Sequence, residues 1–181
     1  MDFDAEANLT QASDLFGGTK VRGIWRVTHK DPEGNVIDED EYENIIVNEG
    51  LDLLLASTLN DGSQTTSWYI GLIAEASPTL NAGDTMSGHG GWTENTNYDE
   101  ANRQDWSNGS VSGQSVDNSG SPAAFTMNTD NDTVGGAFLV GDNTKGGTTG
   151  PLYAEGTFST DKSPDSGDTL EVTATFTTST A

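Results

Sequence analysis

The chain has 181 residues, with 29 acidic side chains against 7 basic ones and a formal charge of −22. It contains no cysteine, which excludes disulfides, thiolate zinc sites and cysteine nucleophiles. So negative a surface repels phosphate backbones and anionic membranes beyond the screening length of about 8–10 Å, and no stretch nears the roughly 18 apolar residues of a membrane span.

Neither nucleic acid nor membrane is therefore an expected partner. The charge suits a protein kept soluble at high concentration, or one that meets a basic surface. The N-terminus, MDFDAEANLTQASDLFGG, has no basic start and no apolar run, so it does not read as a secretory signal. Glycine and threonine are frequent, and turn dipeptides separate short β-type runs. That pattern predicts a mainly β chain: an antiparallel sandwich or barrel-like domain over 20–181, preceded by an acidic arm over 1–19.

The arm carries Asp2, Asp4, Glu6 and Asp14 together with apolar Phe3, Leu9, Leu15 and Phe16, and ends in Phe16-Gly17-Gly18. It cannot bury enough surface to fold alone. Ordering it costs on the order of 1–2 kcal/mol per residue, so it is expected to order only against another chain. Phe3, Leu9, Leu15 and Phe16 are its candidate partner contacts, by strand-edge addition or pocket docking. The alternative is a solubilising tail. Deleting 1–18 is expected to leave the β domain folded and to weaken assembly or partner binding.

Lys20 to Lys30 reads as a strand and Val36 to Val47 as its return, joined by the turn signal Asp31-Pro32-Glu33-Gly34-Asn35. A register centred between Glu33 and Gly34 pairs Trp25 with Tyr42 and Val21 with Ile46 on one face, and Arg26 with Glu41 and Arg22 with Ile45 on the other. The four basic residues of the first strand then neutralise the acidic run 38–41. The spacing predicts one short helix at about 49–59, with Asn48 as its cap, Glu49 and Asp52 in its first turn, and Leu51, Leu54, Leu55 and Leu59 packed on a sheet.

Trp68–Ile73 reads as an apolar strand. A loop-rich insertion follows from Thr79 to Gly120, with weak strand signals at Trp92–Glu94 and Arg103–Trp106. Clearer strands are expected at Ala123–Met127, Gly135–Val140, Pro151–Phe158 and Thr169–Thr177. The last of these puts Leu170, Val172, Ala174 and Phe176 on one face.

No catalytic constellation emerges, and no catalytic, cofactor or metal residues are assigned. Two histidines, His29 and His89, fall short of the ligands a zinc site uses. Ser87 beside His89 is not a triad without an orienting acid held on a rigid frame. Asn128 to Asp132 begins like a calcium loop, but Thr133 stands where glycine is needed and Leu139 where glutamate is needed. It reads as a hairpin loop. Gly146 to Gly150 lacks the Gly-Lys-Ser/Thr of a phosphate loop. Trp25 and Trp68 sit in strands and read as core. Trp92 and Trp106 sit in loop-rich sequence and are the candidate carbohydrate contacts.

Several segments in order resemble a family of small structural proteins of tailed bacteriophages: Gly23-Ile24-Trp25, Asn48-Glu49-Gly50-Leu51, Trp68 to Ile73, Gly83-Asp84-Thr85-Met86, His89 to Glu94, Gly135 to Leu139, Lys145 to Gly150 and Gly167 to Leu170. The resemblance spans roughly 20–178 and brings no catalytic residues or cofactors. It implies a virion protein. The reading it favours is a capsid cement (decoration) protein on the outer surface of the head, bound to the major capsid protein and self-associated, with a trimer favoured. A tail or baseplate component is the alternative within the virion. A carbohydrate-binding β-sandwich for host attachment, using Trp92 and Trp106, is the alternative of another class.

Overall fold

The computed structural model describes residues 19–180, which form two antiparallel β-sheets and one helix. Strand β1 (Thr19–Lys30) pairs with β2 (Val36–Glu43) on one side and with β11 (Thr169–Thr180) on the other. The far edge of β11 carries β7 (Ser115–Asp117) and β8 (Ala123–Thr126) at separate places. In the second sheet β3 (Ile45–Ile46), β10 (Leu152–Lys162), β9 (Val134–Val140) and β4 (Tyr69–Ile73) lie in that order. Both β5 (Glu94–Asn95) and β6 (Gln104–Asp105) pair with β4. This is a β-sandwich, as the turn-punctuated sequence predicts.

The core between the sheets joins Trp25, Val27, Leu170, Val172 and Ala174 of the first to Ile70, Leu72, Ala137, Leu139 and Ala154 of the second. The alternation expected for β11 holds, since Leu170, Val172, Ala174 and Phe176 are all buried. The hairpin also forms as its turn dictates. Gly34 adopts φ +85°, its N–H donates to the Asp31 carbonyl at 2.9 Å, and Trp25 faces Tyr42 while Arg26 faces Glu41.

That register ends at Glu43. Val21 does not meet Ile46, nor Arg22 Ile45. Instead Ile45 and Ile46 switch sheets and pair with Glu155 and Ala154 of β10. The bend falls at Asn44, whose side chain lies over Gly23, where a Cβ would stand 1.9 Å from its Oδ1. Arg22 pairs with Glu43 instead, and Arg26 with Glu41 at 3.2 Å. Charge neutralisation across the hairpin is thus only partial. Asp38 and Asp40 turn inward and meet the buried Lys162 of β10, while Lys30 turns to Glu171 of β11.

Helix α1 (Asn48–Leu59) occupies the predicted span, but presents a different face. Gly50 is its buried residue, and a Cβ there would lie 2.3 Å from the Tyr153 carbonyl. That close approach turns Leu53, Leu54 and Ser57 towards the domain. Leu51, Leu55 and Leu59 point to solvent, contrary to the sequence reading. Asn48 is not the cap: Val47 holds that position without a side-chain bond, and the Asn48 N–H donates to the Ala82 carbonyl at 2.8 Å. Glu49 spends its carboxylate on the Leu152 N–H at 2.9 Å, tying α1 to β10.

Gly50→Ala is expected to lower stability. The overlap with Tyr153 costs about 1–3 kcal/mol, against roughly 1 kcal/mol gained in helix propensity. A urea midpoint at or above wild type would show that α1 shifts freely.

The loop-rich insertion has a structural task. Residues 74–93 cover the outer face of the second sheet, where Met86 and Trp92 pack with Val47, Ile73, Phe138, Val140 and Leu152 in a second core. Hence β9 (VGGAFLV) is buried along its whole length and carries no polar side chain, as expected of a strand covered on both faces. Gly71 of β4 lets the Phe138 ring lie against the backbone, since a Cβ there would be 2.2 Å from its Cζ. The stretch 128–132 is not a hairpin loop. It passes from β8 in the first sheet to β9 in the second.

Candidate interaction site

Between the ends of the two sheets lies a groove of about 320 Å³. Its first wall is Leu53, Leu54 and Ser57 of α1 with Trp68 and Tyr153 of the second sheet. The opposite wall is Phe176 of β11, Val116 of β7 and Trp106, with Val111 at the rim. The aromatic rings support one another edge to face: Trp68 on Tyr153 at 5.3 Å, Tyr153 on Phe176 at 5.2 Å and Trp106 on Phe176 at 5.7 Å between centroids. The Trp106 indole N–H donates to the Ala174 carbonyl at 3.1 Å, which fixes the ring in the wall. Burial pushes the Tyr153 hydroxyl up to about 12, so it stays neutral.

Among the described residues no charged side chain lines the groove, although the chain carries 29 acidic side chains. Beside it the outer face of α1 exposes Leu51, Leu55 and Leu59 by 40, 58 and 80 %, and Val111 is 74 % exposed. Leucines at i, i+4 and i+8 form one stripe along a helix. Groove and stripe together form an apolar end, bordered by the exposed Asp52 of α1, on an acidic molecule. A grouping of this kind suits contact with another apolar surface.

Trp92 and Trp106 do not form a sugar platform. Trp92 is 3 % exposed and belongs to the second core, whereas Trp106 packs against the first. The insertion folds back over the second sheet, and Trp92 is the residue that pins it. The carbohydrate reading thereby loses the exposed pair it requires. Phe3, Leu9, Leu15 and Phe16 lie outside the described residues.

Two of the buried polar centres lie in sequence that carries no local motif for them. Glu155 of β10 is fully buried. Its carboxylate accepts from the Asn81 N–H at 3.0 Å and the Trp92 indole N–H at 2.9 Å. Burial pushes it up to about 7, opposed by the Asn81 hydrogen bond and reinforced by the charge of Asp84, whose Oδ2 is buried without a hydrogen-bond partner among the described residues. The second centre is Arg103, which binds Glu94 through Nε at 2.9 Å and NH2 at 2.7 Å. It also donates to the carbonyls of Asp142 at 2.9 Å and Gly147 at 2.6 Å.

Both centres fasten loops to the second sheet. His89 stacks on Trp92 at 3.7 Å, and its Nδ1 lies 3.0 Å from the Trp92 carbonyl. Ser87 is near Thr85 instead, so the two residues share no hydrogen bond. Asp130 and Asp132 accept from Ser166 and Asn95 respectively. Among the described residues no group of three or more His, Asp or Glu converges where a metal ion could sit.

No protein-family model matches the chain, and no curated protein or solved structure matches it.

Proposed function

We propose that this chain is a structural virion protein: a cement protein that binds the outside of a tailed-phage head and stabilises it. The observation that carries this reading is the apolar end built by α1 and the groove on an otherwise acidic β-sandwich. In this reading Leu51, Leu55 and Leu59 cover an apolar patch of the major capsid protein, and basic residues around that patch meet the acidic rim. The net charge suits an exterior position, because the packed DNA inside a head would repel it. Self-association into a trimer matches the local three-fold positions of a head lattice.

Imaging of purified virions tests the reading directly. Many copies on the head exterior are expected. A few copies on the tail would replace it with the tail or baseplate alternative. At the residue level, Leu51→Gln, Leu55→Gln and Leu59→Gln together are expected to leave folding intact, because the side chains face solvent. The same triple variant should weaken capsid binding at least about tenfold, since burying one leucine contributes about 1.5–3 kcal/mol. Unchanged occupancy of capsids by this variant would remove α1 from the interface.

A further inference from the structure

Residues 79–91 form a compact loop whose ends meet, since the Thr79 N–H donates to the Gly91 carbonyl at 3.1 Å. A loop closed at its neck in this way can open as a unit while the rest of a fold stays intact. This one lies over the outer face of the second sheet, with Met86 as its apolar anchor. Few polar ties hold it there. The Asn81 N–H and, just past the neck, the Trp92 indole N–H both reach Glu155 of β10, at 3.0 and 2.9 Å. The Ala82 carbonyl accepts from the Asn48 N–H of α1 at 2.8 Å. On its free side the loop borders a cavity of about 460 Å³, lined by Asn48, Glu49, Asp52, Asp84 and Thr85.

Two of these ties converge on a carboxyl group with no base beside it. The other buried ionisable groups are matched acid to base: His29 with Asp168, Arg103 with Glu94 and Lys162 with Asp38. Glu155 instead meets Asp84 of the loop, which is itself buried and within hydrogen-bond reach. Two carboxylates so placed out of water cannot both ionise without strong repulsion, so they share a proton. The surroundings supply no cation in its place. Glu49 and Asp52 of α1 add negative charge on the cavity wall, and Glu75, beside the neck, accepts from Thr93. Ile45 of β3 and Phe138 of β9, which flank Glu155, are uncharged. Arg103 touches the Phe138 ring but is committed to Glu94. His89 stacks on Trp92 and turns its Nδ1 to the Trp92 carbonyl.

We propose that loop 79–91 is a proton-operated flap: the proton shared by Glu155 and Asp84 holds it closed over the second sheet, and loss of that proton lets it lift and uncover the apolar face of Ile73, Phe138, Val140 and Leu152. With both groups charged, repulsion acts between β10 and the loop, in the direction that separates them. The sign of linkage sets the window. Burial raises Glu155 to about 7 in the closed form, whereas lifting returns it to water and its ordinary value near 4.5. Closure therefore has its full strength below 4.5 and loses it as pH rises through 7. The event is local, distinct from unfolding of the whole domain, and does not rest on the capsid reading.

Native-state hydrogen exchange of the full chain tests it, with rates corrected for the intrinsic effect of pH. Local opening exposes little surface and is nearly insensitive to dilute urea, whereas global unfolding is accelerated by it. The N–H groups of Asn48 and Asn81 bridge the loop and the body. Both are expected to exchange by the urea-insensitive route and to lose at least about tenfold in protection between pH 5 and pH 8. The amides of β9 should follow the urea-sensitive route at both pH values. Two variants tie the effect to the pair: Asp84→Asn gives Glu155 a permanent N–H donor, and Glu155→Gln cannot ionise. Each should remove most of the pH dependence of the two bridging amides. If those amides share the urea dependence of β9 at pH 8, the loop opens only with the whole domain. If local opening is equal at both pH values, or keeps its pH dependence in both variants, the pair does not control the loop. Either result overturns the proposal.

Discussion

Arg103→Met is expected to lower the stability of the protein by about 3–5 kcal/mol, because it leaves a buried carboxylate without its cation. Arg103 is 2 % exposed, and its side chain is fully buried. It holds both oxygens of Glu94 and reaches the carbonyls of Asp142 and Gly147, while its flat face lies 5.2 Å from the Phe138 ring centre. One side chain thus ties β5, the loop after β9 and the second core together. Lysine cannot reproduce the two parallel bonds to Glu94, so Arg103→Lys is expected to lose most of the same stability.

Pairing Arg103→Met with Glu94→Leu should recover much of the loss, since removing both charges relieves the desolvation that one alone suffers. Urea unfolding of the four proteins measures the cycle. A midpoint for Arg103→Met equal to wild type would show that the loops around it contribute nothing to global stability.

The parts of the fold that sequence makes legible are those decided by neighbours in the chain. The turn at Asp31 to Asn35 fixes which residues of β1 and β2 face each other, because proline and glycine restrict the loop and side chains alternate every second residue. The same alternation identifies the inward face of β11. Legibility fails where a distant atom decides. The leucines of α1 have helical spacing, yet the face that docks is set by Gly50 meeting the Tyr153 carbonyl. Ile45 and Ile46 extend the alternation of β2, yet their partner is β10, and the bend at Asn44 depends on Gly23 having no side chain.

Trp92 stands in glycine-rich sequence and reads as exposed. Its burial follows from the folding of residues 74–93 across the second sheet. The continuous apolar run of β9 was the available signal, because a strand covered on both faces needs something to cover the outer one. The groove had no comparable signature. Trp68, Trp106, Val116, Tyr153 and Phe176 come from five separate segments, and no local period connects them.

The stability of this acidic protein is expected to peak in mildly acidic solution and to decline towards pH 8, with Glu155 as the principal cause. Its carboxyl ordinarily titrates near 4.5, and burial with Asp84 alongside raises it to about 7 in the folded chain. Between those values the folded protein keeps a proton that the unfolded chain has released. Stability therefore falls as pH rises through this window, by roughly 3 kcal/mol in total. Acidic conditions act in the opposite direction. Hydrogen bonds from Lys162, Ser119 and Thr144 hold Asp38, Asp117 and Asp142 below their usual range, so their contributions are present above pH 4 and vanish as pH falls below it. The two trends place the maximum near about pH 5. Urea midpoints between pH 4 and 8 trace the profile. Glu155→Gln keeps the shape but cannot ionise. Its single carbonyl oxygen serves either Asn81 or Trp92, at a constant cost of about 1 kcal/mol, while the decline from pH 5 to 8 should flatten. If wild type and Glu155→Gln show parallel profiles over that range, Glu155 is not the titrating group, and the buried carboxyl pair with Asp84 plays no part in the pH response.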